Sequence, residues 1–258
     1  MPSTHSELLP ILIGIFFVAS VIQSSSGFGF GIFSVAALSL LAHRFGLTMS
    51  TPMLAILNAP VIMYVLWRLR GHVRLTNLGP ILAGLLVGIP IGTTFLVRCP
   101  QEILLRVLAV VLLYAAVRAA MPNGDACDPD AAGGQRETLA RKIGGLGIGM
   151  ASGALAGAFN TGGPPVIAYV YCRPWSKEQR TATLQAIFIV SIFARIVYYS
   201  CVGLYDVPLL LTTAACLPAA IAGMFFGYAL FRKFPPRALE IFVAVFLSLV
   251  AIKLLIWT

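Results

Sequence analysis

The chain has 258 residues, of which 59% are hydrophobic and only 10% charged, and its mean hydropathy is +0.92. A soluble domain of this size cannot bury so many apolar side chains. The composition therefore indicates a membrane protein and excludes a cytosolic enzyme, a nucleic-acid-binding protein and a secreted disulfide scaffold. We attribute the net charge of +9 to membrane orientation and to contact with anionic lipid.

Ten apolar segments follow one another along the chain and are predicted to be helices. Several reach the roughly 20 residues that a helix needs to cross a bilayer, which predicts an all-α integral membrane protein. The first two segments, and likewise the sixth and seventh, are predicted to be too short to cross. The ten segments cover approximately residues 8–23, 30–42, 52–67, 78–97, 102–120, 143–158, 164–172, 180–202, 208–231 and 237–257.

A polar, glycine-rich break interrupts each short pair. The first break runs from Gln23 to Gly31 and reads QSSSGFGFG, and the second runs from Asn160 to Pro165 and reads NTGGPP. Non-helical backbone inside a membrane is tolerated only where it is buried in protein or lines a watered cavity. Each pair is therefore predicted to be a broken or re-entrant helix pair.

The two halves of the chain resemble each other at an offset of 135 residues. Gly84, Gly88 and Gly92 then align with Ala219, Gly223 and Gly227, and the two breaks correspond at nearly the same offset. This similarity predicts a duplication, with a first transmembrane repeat at 1–120, a linker at 121–142 and a second repeat at 143–258. Because each repeat has five segments, the second repeat starts from the opposite side of the membrane and is inverted.

The basic residues support this topology. If each segment crosses the membrane or is re-entrant, so that the connections alternate between its two faces, thirteen Lys and Arg residues fall in four connections on one face. Two fall on the other face. The excess marks the cytoplasmic face of the inner membrane, so both termini and Arg44 and Arg98 are predicted to lie on the non-cytoplasmic side. If each short pair were instead one continuous span, the counts would be nearly equal. The four basic connections are 68–77, 118–142, 173–180 and 232–237.

The breaks are predicted to bind a small anion. Glycines allow a ligand to approach the backbone closely, and the N–H groups at a helix start, together with nearby hydroxyls, accept negative charge. The alternative is an ordinary loop and cap between two short helices. The candidate binding residues of the breaks are Ser24, Ser25, Ser26, Gly27, Gly29, Asn160, Thr161, Gly162 and Gly163.

Three polar residues inside apolar segments are further candidates. Arg195 has no carboxylate within one helical turn in sequence, so we expect it to meet an anionic substrate, to snorkel to the interface or to bind backbone carbonyls. Asn58 corresponds by the repeat to a position within two residues of Arg195. Asn58 and Gln185 are each interpreted as hydrogen-bonding partners either of the substrate or of neighbouring helices.

The sequence contains no intramembrane carboxylate pair, no HExxH motif and no phosphate-binding loop, so no enzymatic activity, cofactor or metal site is predicted. The expected partners are a small anion and membrane lipid, not nucleic acid. The oligomeric state is left open, with a homodimer as one alternative.

Two stretches resemble a known family. GAFNTGGPPVIA, beginning at Gly157, and KEQRTATLQ, beginning at Lys177, are similar to the second-half signature of the sulfite exporter TauE/SafE family, and SGFGFG in the first half also fits. The resemblance spans essentially the whole chain, although many members have a Gly-rich run where this chain reads NTGGPP. It implies export of sulfite or of organosulfonates such as sulfoacetate. We expect the membrane potential or ion coupling to drive this export. Import of a sulfur source or another small organic acid, and a non-transporting membrane assembly subunit, remain alternative hypotheses.

Overall fold

In a computed structural model of the protein, the residues described are 3–41, 46–75, 78–120, 139–173, 175–231 and 236–257. Throughout these ranges the regular structure is helical, with a short 3₁₀ turn at Arg70–His72. The α-helices are α1 Ser3–Ser26, α2 Phe30–Ser39, α3 Leu47–Leu69, α4 Gly79–Arg98, α5 Gln101–Ala120, α6 Leu139–Phe159, α7 Gly163–Tyr171, α8 Lys177–Cys201, α9 Val207–Phe231 and α10 Pro236–Trp257.

The protein is an all-α membrane protein. Within the described part of the chain, five helical stretches are long and apolar enough to cross a bilayer: Leu8–Ser26, Leu47–His72, Gly79–Arg98, Lys177–Cys201 and Val207–Leu230. Large apolar side chains such as Phe193, Leu211 and Phe225 are exposed on the outside of the helix bundle. Lipid tails are the solvent in which such a surface is stable.

The first helix corrects one expectation. Segment 8–23 is too short to cross a bilayer, but α1 continues through the serines that were assigned to the break, and its apolar stretch Leu8–Ser26 has a spanning length. The hydroxyl of Ser25 donates to the carbonyl of Val21 at 2.6 Å, and that of Ser26 donates to Ile22 at 2.7 Å. A serine that bonds one turn back satisfies its hydroxyl inside the helix, so the helix does not have to end there.

Helices α4 and α6 pack with their backbones in contact. A Cβ atom on Gly88 would overlap the carbonyl oxygen of Met150, and a Cβ on Gly153 would overlap that of Leu85. The neighbouring glycines one turn away on both helices are equally close to the opposite backbone. Small residues spaced four apart permit this approach between membrane helices, as their spacing predicts.

The same kind of contact recurs between α1 and α9. Cβ atoms on Gly223 and Gly227 would overlap the carbonyl oxygens of Phe17 and Val21. A first-half helix, α4, thus packs on second-half α6, while second-half α9 packs on first-half α1. Helices α3 and α8, and α5 and α10, also pair across the halves. Pairing of helices across the two halves is expected of two related repeats. The inversion of the second repeat in the membrane stays a prediction.

The domain boundaries also stay a prediction. Most of the linker assigned to 121–142 lies outside the described residues, and its last four residues belong to α6.

Candidate functional site

The first break consists of only three residues, Gly27, Phe28 and Gly29, between α1 and α2. Gly27 has a φ of 87° and Gly29 a φ of 112°, a backbone conformation that glycine adopts far more readily than other residues. Space is limited as well, because a Cβ on Gly27 would lie 2.8 Å from the Cγ2 methyl of Thr181 on α8. The break therefore depends on glycine for both conformation and packing.

Two buried glutamines hold the first break against α8. The side-chain Nε2 of Gln185 donates to the carbonyl of Gly27 at 2.6 Å, and Nε2 of Gln23 donates to Oε1 of Gln185 at 3.3 Å. The Oε1 of Gln23 in turn accepts the N–H of Phe30 at 3.1 Å, at the start of α2. Gln185 therefore joins α8 to the backbone of the break, which is the helix-joining role predicted as an alternative to substrate binding.

We expect Gln185→Leu to destabilise the protein by about 1–3 kcal/mol, because Gly27 and Gln23 would lose buried hydrogen-bond partners. Thermal unfolding of purified protein measures the loss. Gln23→Leu should have a similar effect, and the double variant should cost clearly less than the sum of the two, because both changes remove one shared bond. Strict additivity would show that the two glutamines act separately.

The second break contains Asn160, Thr161 and Gly162, between α6 and α7. Asn160 has a φ of 57°, which asparagine tolerates better than most residues. The N–H of Asn160 donates to Ala156 at 2.9 Å and that of Thr161 donates to Leu155 at 3.3 Å, which closes the end of α6. The hydroxyl of Ser152 donates to the carbonyl of Gly162.

The helix starts offer fewer N–H groups than expected. Pro164 lies in the first turn of α7 and Pro165 follows it, and proline has no N–H. At the start of α2, the N–H of Phe30 is already bonded to Gln23. Gly162 has a φ of −66°, which any residue can adopt, and its lack of a side chain matters because a Cβ would lie 2.7 Å from that of Ala156.

The first break, taken from Gln23 to Gly31 as the sequence defines it, touches the second. Gly31, in the first turn of α2, lies so close to Asn160 that a Cβ on Gly31 would overlap the backbone carbonyl oxygen of Asn160. The two sites of irregular backbone, which are about 130 residues apart in sequence, thus form one structural unit.

A small cavity lies where the breaks meet. It has a volume of about 40 Å³, and a buried water needs about 10–15 Å³ on this measure, so the space fits about three waters or one small ion. Its wall is formed by both breaks and by α1, α2, α3, α6, α7 and α8. The lining residues are Gln23, Phe28, Gly29, Gly31, Ile32, Asn58, Ile62, Ser152, Ala156, Asn160, Thr161, Gly162, Gly163, Phe188, Ser191 and Arg195.

Arg195 brings a positive charge to this wall. The residue is only 4% exposed, and its Nε and Nη1 atoms donate to the carbonyls of Ser191 at 3.3 Å and Ala156 at 3.4 Å. Tyr199 donates its hydroxyl to the neighbouring carbonyl of Gly157 at 2.8 Å. Arg195 thus caps the C-terminal turn of α6, where cations are favoured. A guanidinium has five N–H donors, so donors remain for a ligand.

Two amides in the wall have no partner among the described residues. Asn58 and Asn160 are each 6% exposed, and the Oδ1 atom of Asn58 and both amide atoms of Asn160 are buried without a hydrogen bond. Leaving such a group unsatisfied costs about 1–3 kcal/mol, so these side chains are suited to binding water or a polar ligand.

The cavity contains some of the predicted site residues and omits others. Those in its wall are Gly29, Asn58, Asn160, Thr161, Gly162, Gly163 and Arg195, and those outside it are Ser24, Ser25, Ser26, Gly27 and Gln185. The Ser25 and Ser26 hydroxyls bond backbone carbonyls, and Ser24 packs near the position that a Cβ of Gly227 would occupy. The prediction missed Gln23, Gly31, Phe28, Ile32, Ile62, Ser152, Ala156, Phe188 and Ser191. Phe188 and Ser191 lie seven and four residues before Arg195, so helical spacing was the available signal.

Aromatic rings lie between the cavity and the basic connection 173–180. The ring of Phe28 meets that of Tyr171 edge-on, with centroids 6.4 Å apart. The guanidinium of Arg180 lies 5.3 Å from the centroid of Tyr171 and donates through Nη2 to the carbonyl of Arg173 at 3.2 Å. Phe28 therefore lies between the cavity and the basic connection that leads into α8.

Comparison with known proteins adds one finding. The family model described as "Sulfite exporter TauE/SafE" matches residues 12–254, nearly the whole chain. No curated protein and no solved structure gives a significant match. Because the match includes both halves, both breaks and all the residues that line the cavity, the chain belongs to the sulfite exporter TauE/SafE family, a family of membrane anion transporters.

Proposed function

We propose that the protein exports small sulfur-containing anions, such as sulfite, across the inner membrane. The observation that carries this proposal is a small cavity, walled by two touching helix breaks, in which Arg195 is buried and no carboxylate lines the wall among the described residues. An uncompensated buried cation is costly, and a bound anion removes most of that cost. Family membership supports transport of this substrate class.

The size of the cavity favours the smaller anions of the family's substrate class. About 40 Å³ accommodates an ion of a few heavy atoms, so the smaller anions of the class fit with the least rearrangement of the wall. Sulfite is therefore the preferred substrate of this proposal, and sulfoacetate is secondary.

The membrane potential is sufficient to drive export. At 100 mV, negative inside, the potential contributes about 2.3 kcal/mol for each elementary charge that leaves the cell. For a monovalent anion this corresponds to an equilibrium ratio of roughly 50-fold, and for a divalent anion to more than a thousandfold. No coupling ion is required by this arithmetic. The basic connections, including Arg173 and Arg180, lie on the cytoplasmic side in this proposal and attract the anion before it passes Phe28.

Reconstitution into liposomes tests this function. We expect release of trapped radiolabelled sulfite that accelerates when the interior is made negative, because the potential then acts in the direction of export. Protein-free liposomes provide the background, and Phe193→Ala, which alters only an exposed apolar side chain, provides a matched variant. Absence of sulfite flux above background would contradict the proposed transport. Flux that does not change with the imposed potential would contradict electrogenic export. Import is the alternative, and it predicts net uptake of sulfite against an interior-negative potential, which requires a coupling ion.

A further inference from the structure

The cavity wall carries a single positive charge. Arg195 is the one ionised side chain among the residues that line it. The titratable groups close to its guanidinium are the hydroxyls of Tyr199 and Tyr205, and in the described ranges no His, Lys, Asp or Glu side chain of the packed elements lines the cavity. Tyrosine is neutral at physiological pH. The wall thus presents one elementary charge to a ligand.

One charge balances a monovalent anion and not a divalent one. A divalent oxyanion in this cavity would leave one negative charge buried without a counter-charge, and uncompensated buried charge is strongly unfavourable. A monovalent anion beside Arg195 leaves the site neutral.

The amide oxygens in the wall favour a ligand that also donates a hydrogen bond. The Oδ1 atoms of Asn58 and Asn160 are buried and have no partner in the described part of the chain. An amide oxygen only accepts hydrogen bonds, and a fully deprotonated oxyanion has none to give. An oxyanion that carries one O–H group supplies a donor for one of these oxygens, that of Asn58, while its other oxygens accept from Arg195 and from the unpartnered Nδ2 of Asn160.

We propose that the cavity binds a small oxyanion in its singly protonated, monovalent form, hydrogen sulfite being the example that the proposed function supplies. Arg195 and the Asn160 amide nitrogen hold the charged oxygens, and the amide oxygen of Asn58 accepts the O–H. This inference rests on the proposed function, since it names the ionic form of the same substrate at the same site.

Binding to the purified protein, measured as a function of pH, tests the inference. The probes are radiolabelled sulfite and methanesulfonate, which stays monovalent at all working pH values and has no O–H group. We expect the dissociation constant of total sulfite to rise about tenfold for each pH unit above its second ionisation, because the monoanion fraction falls by that factor. Methanesulfonate binding should stay constant, which controls for titration of the protein.

The outcomes separate the two proposals. Sulfite binding that is unchanged or becomes tighter as pH rises would overturn the monoanion inference and leave the proposed function intact. Absence of binding of sulfite and methanesulfonate at every pH would contradict both.

Substitutions at Asn58 test the acceptor role. Asn58→Leu removes the amide oxygen at similar volume, so we expect sulfite binding to weaken roughly 10-fold while methanesulfonate binding changes little. Asn58→Ser retains an acceptor and should recover part of the difference. If both variants weaken the two anions equally, Asn58 does not accept the ligand's O–H and the assignment fails. Retained methanesulfonate binding also shows that the variant is folded.

Discussion

Replacing Gly31 by alanine is expected to reduce transport to background and to destabilise the fold. The added methyl would overlap the carbonyl oxygen of Asn160, which is backbone and cannot rotate away as a side chain can. Overpacking of this kind typically costs about 1–3 kcal/mol, and here the displacement falls directly on the contact between the two breaks. Sulfite flux in liposomes and thermal unfolding of the purified variant measure the two effects.

Gly14→Ala is the matched control for this variant. Gly14 lies within α1, and a Cβ there would have no neighbour within 4 Å, so its flux and stability should remain near those of the unmodified protein. Normal flux in Gly31→Ala would mean that the contact between the breaks is not needed for transport. Loss of flux in both variants would point to a general sensitivity of the helices to this change.

Arg195→Gln is expected to weaken anion binding roughly 10- to 100-fold, because loss of a charge-assisted hydrogen-bond partner typically costs about 1.5–3 kcal/mol. Thermal stability should fall as well, since Arg195 also donates to the carbonyls of Ser191 and Ala156. Arg195→Lys should restore binding only in part, because an ammonium lacks the planar set of donors that holds an oxyanion. The stabilisation of each variant by added sulfite, measured as a thermal shift, reports the change.

Tyr199→Phe distinguishes anchoring of α6 from binding of the anion, the two roles considered for Arg195. It removes the hydroxyl that donates to Gly157 on the same turn of α6, but leaves every charge in place. We expect lower thermal stability with an unchanged sulfite-induced shift. If Arg195→Gln behaves in the same way as Tyr199→Phe, Arg195 anchors α6 and does not bind the anion. If neither Arg195→Gln nor Arg195→Lys changes any measurement, the side chain acts as a snorkelling residue, contrary to its burial in the cavity wall.

The sequence indicated which stretches form the candidate site but not which of their side chains line the cavity. Both breaks were predicted from composition, because in each of them glycine or proline coincides with a polar run between two short apolar segments. The three serines were predicted to face a ligand, but Ser25 and Ser26 bond backbone carbonyls, and it is the preceding residue, Gln23, that lines the cavity. A hydroxyl in apolar surroundings bonds the nearest free acceptor, and inside a helix that acceptor is a carbonyl one turn back.

What the sequence determined by itself is the class of protein, its helices and the positions of the two breaks. These depend on local properties: apolar content decides the solvent, and polar runs that contain glycine or proline mark where the backbone leaves the helix. The tertiary structure alone decided that the breaks touch, that Gln23 bonds a residue 162 positions away and that Arg195 reaches a carbonyl 39 positions before it. These contacts depend on the rotation and crossing of helices, which follow from the packing of α4 on α6 and of α1 on α9, and no short stretch of sequence encodes them.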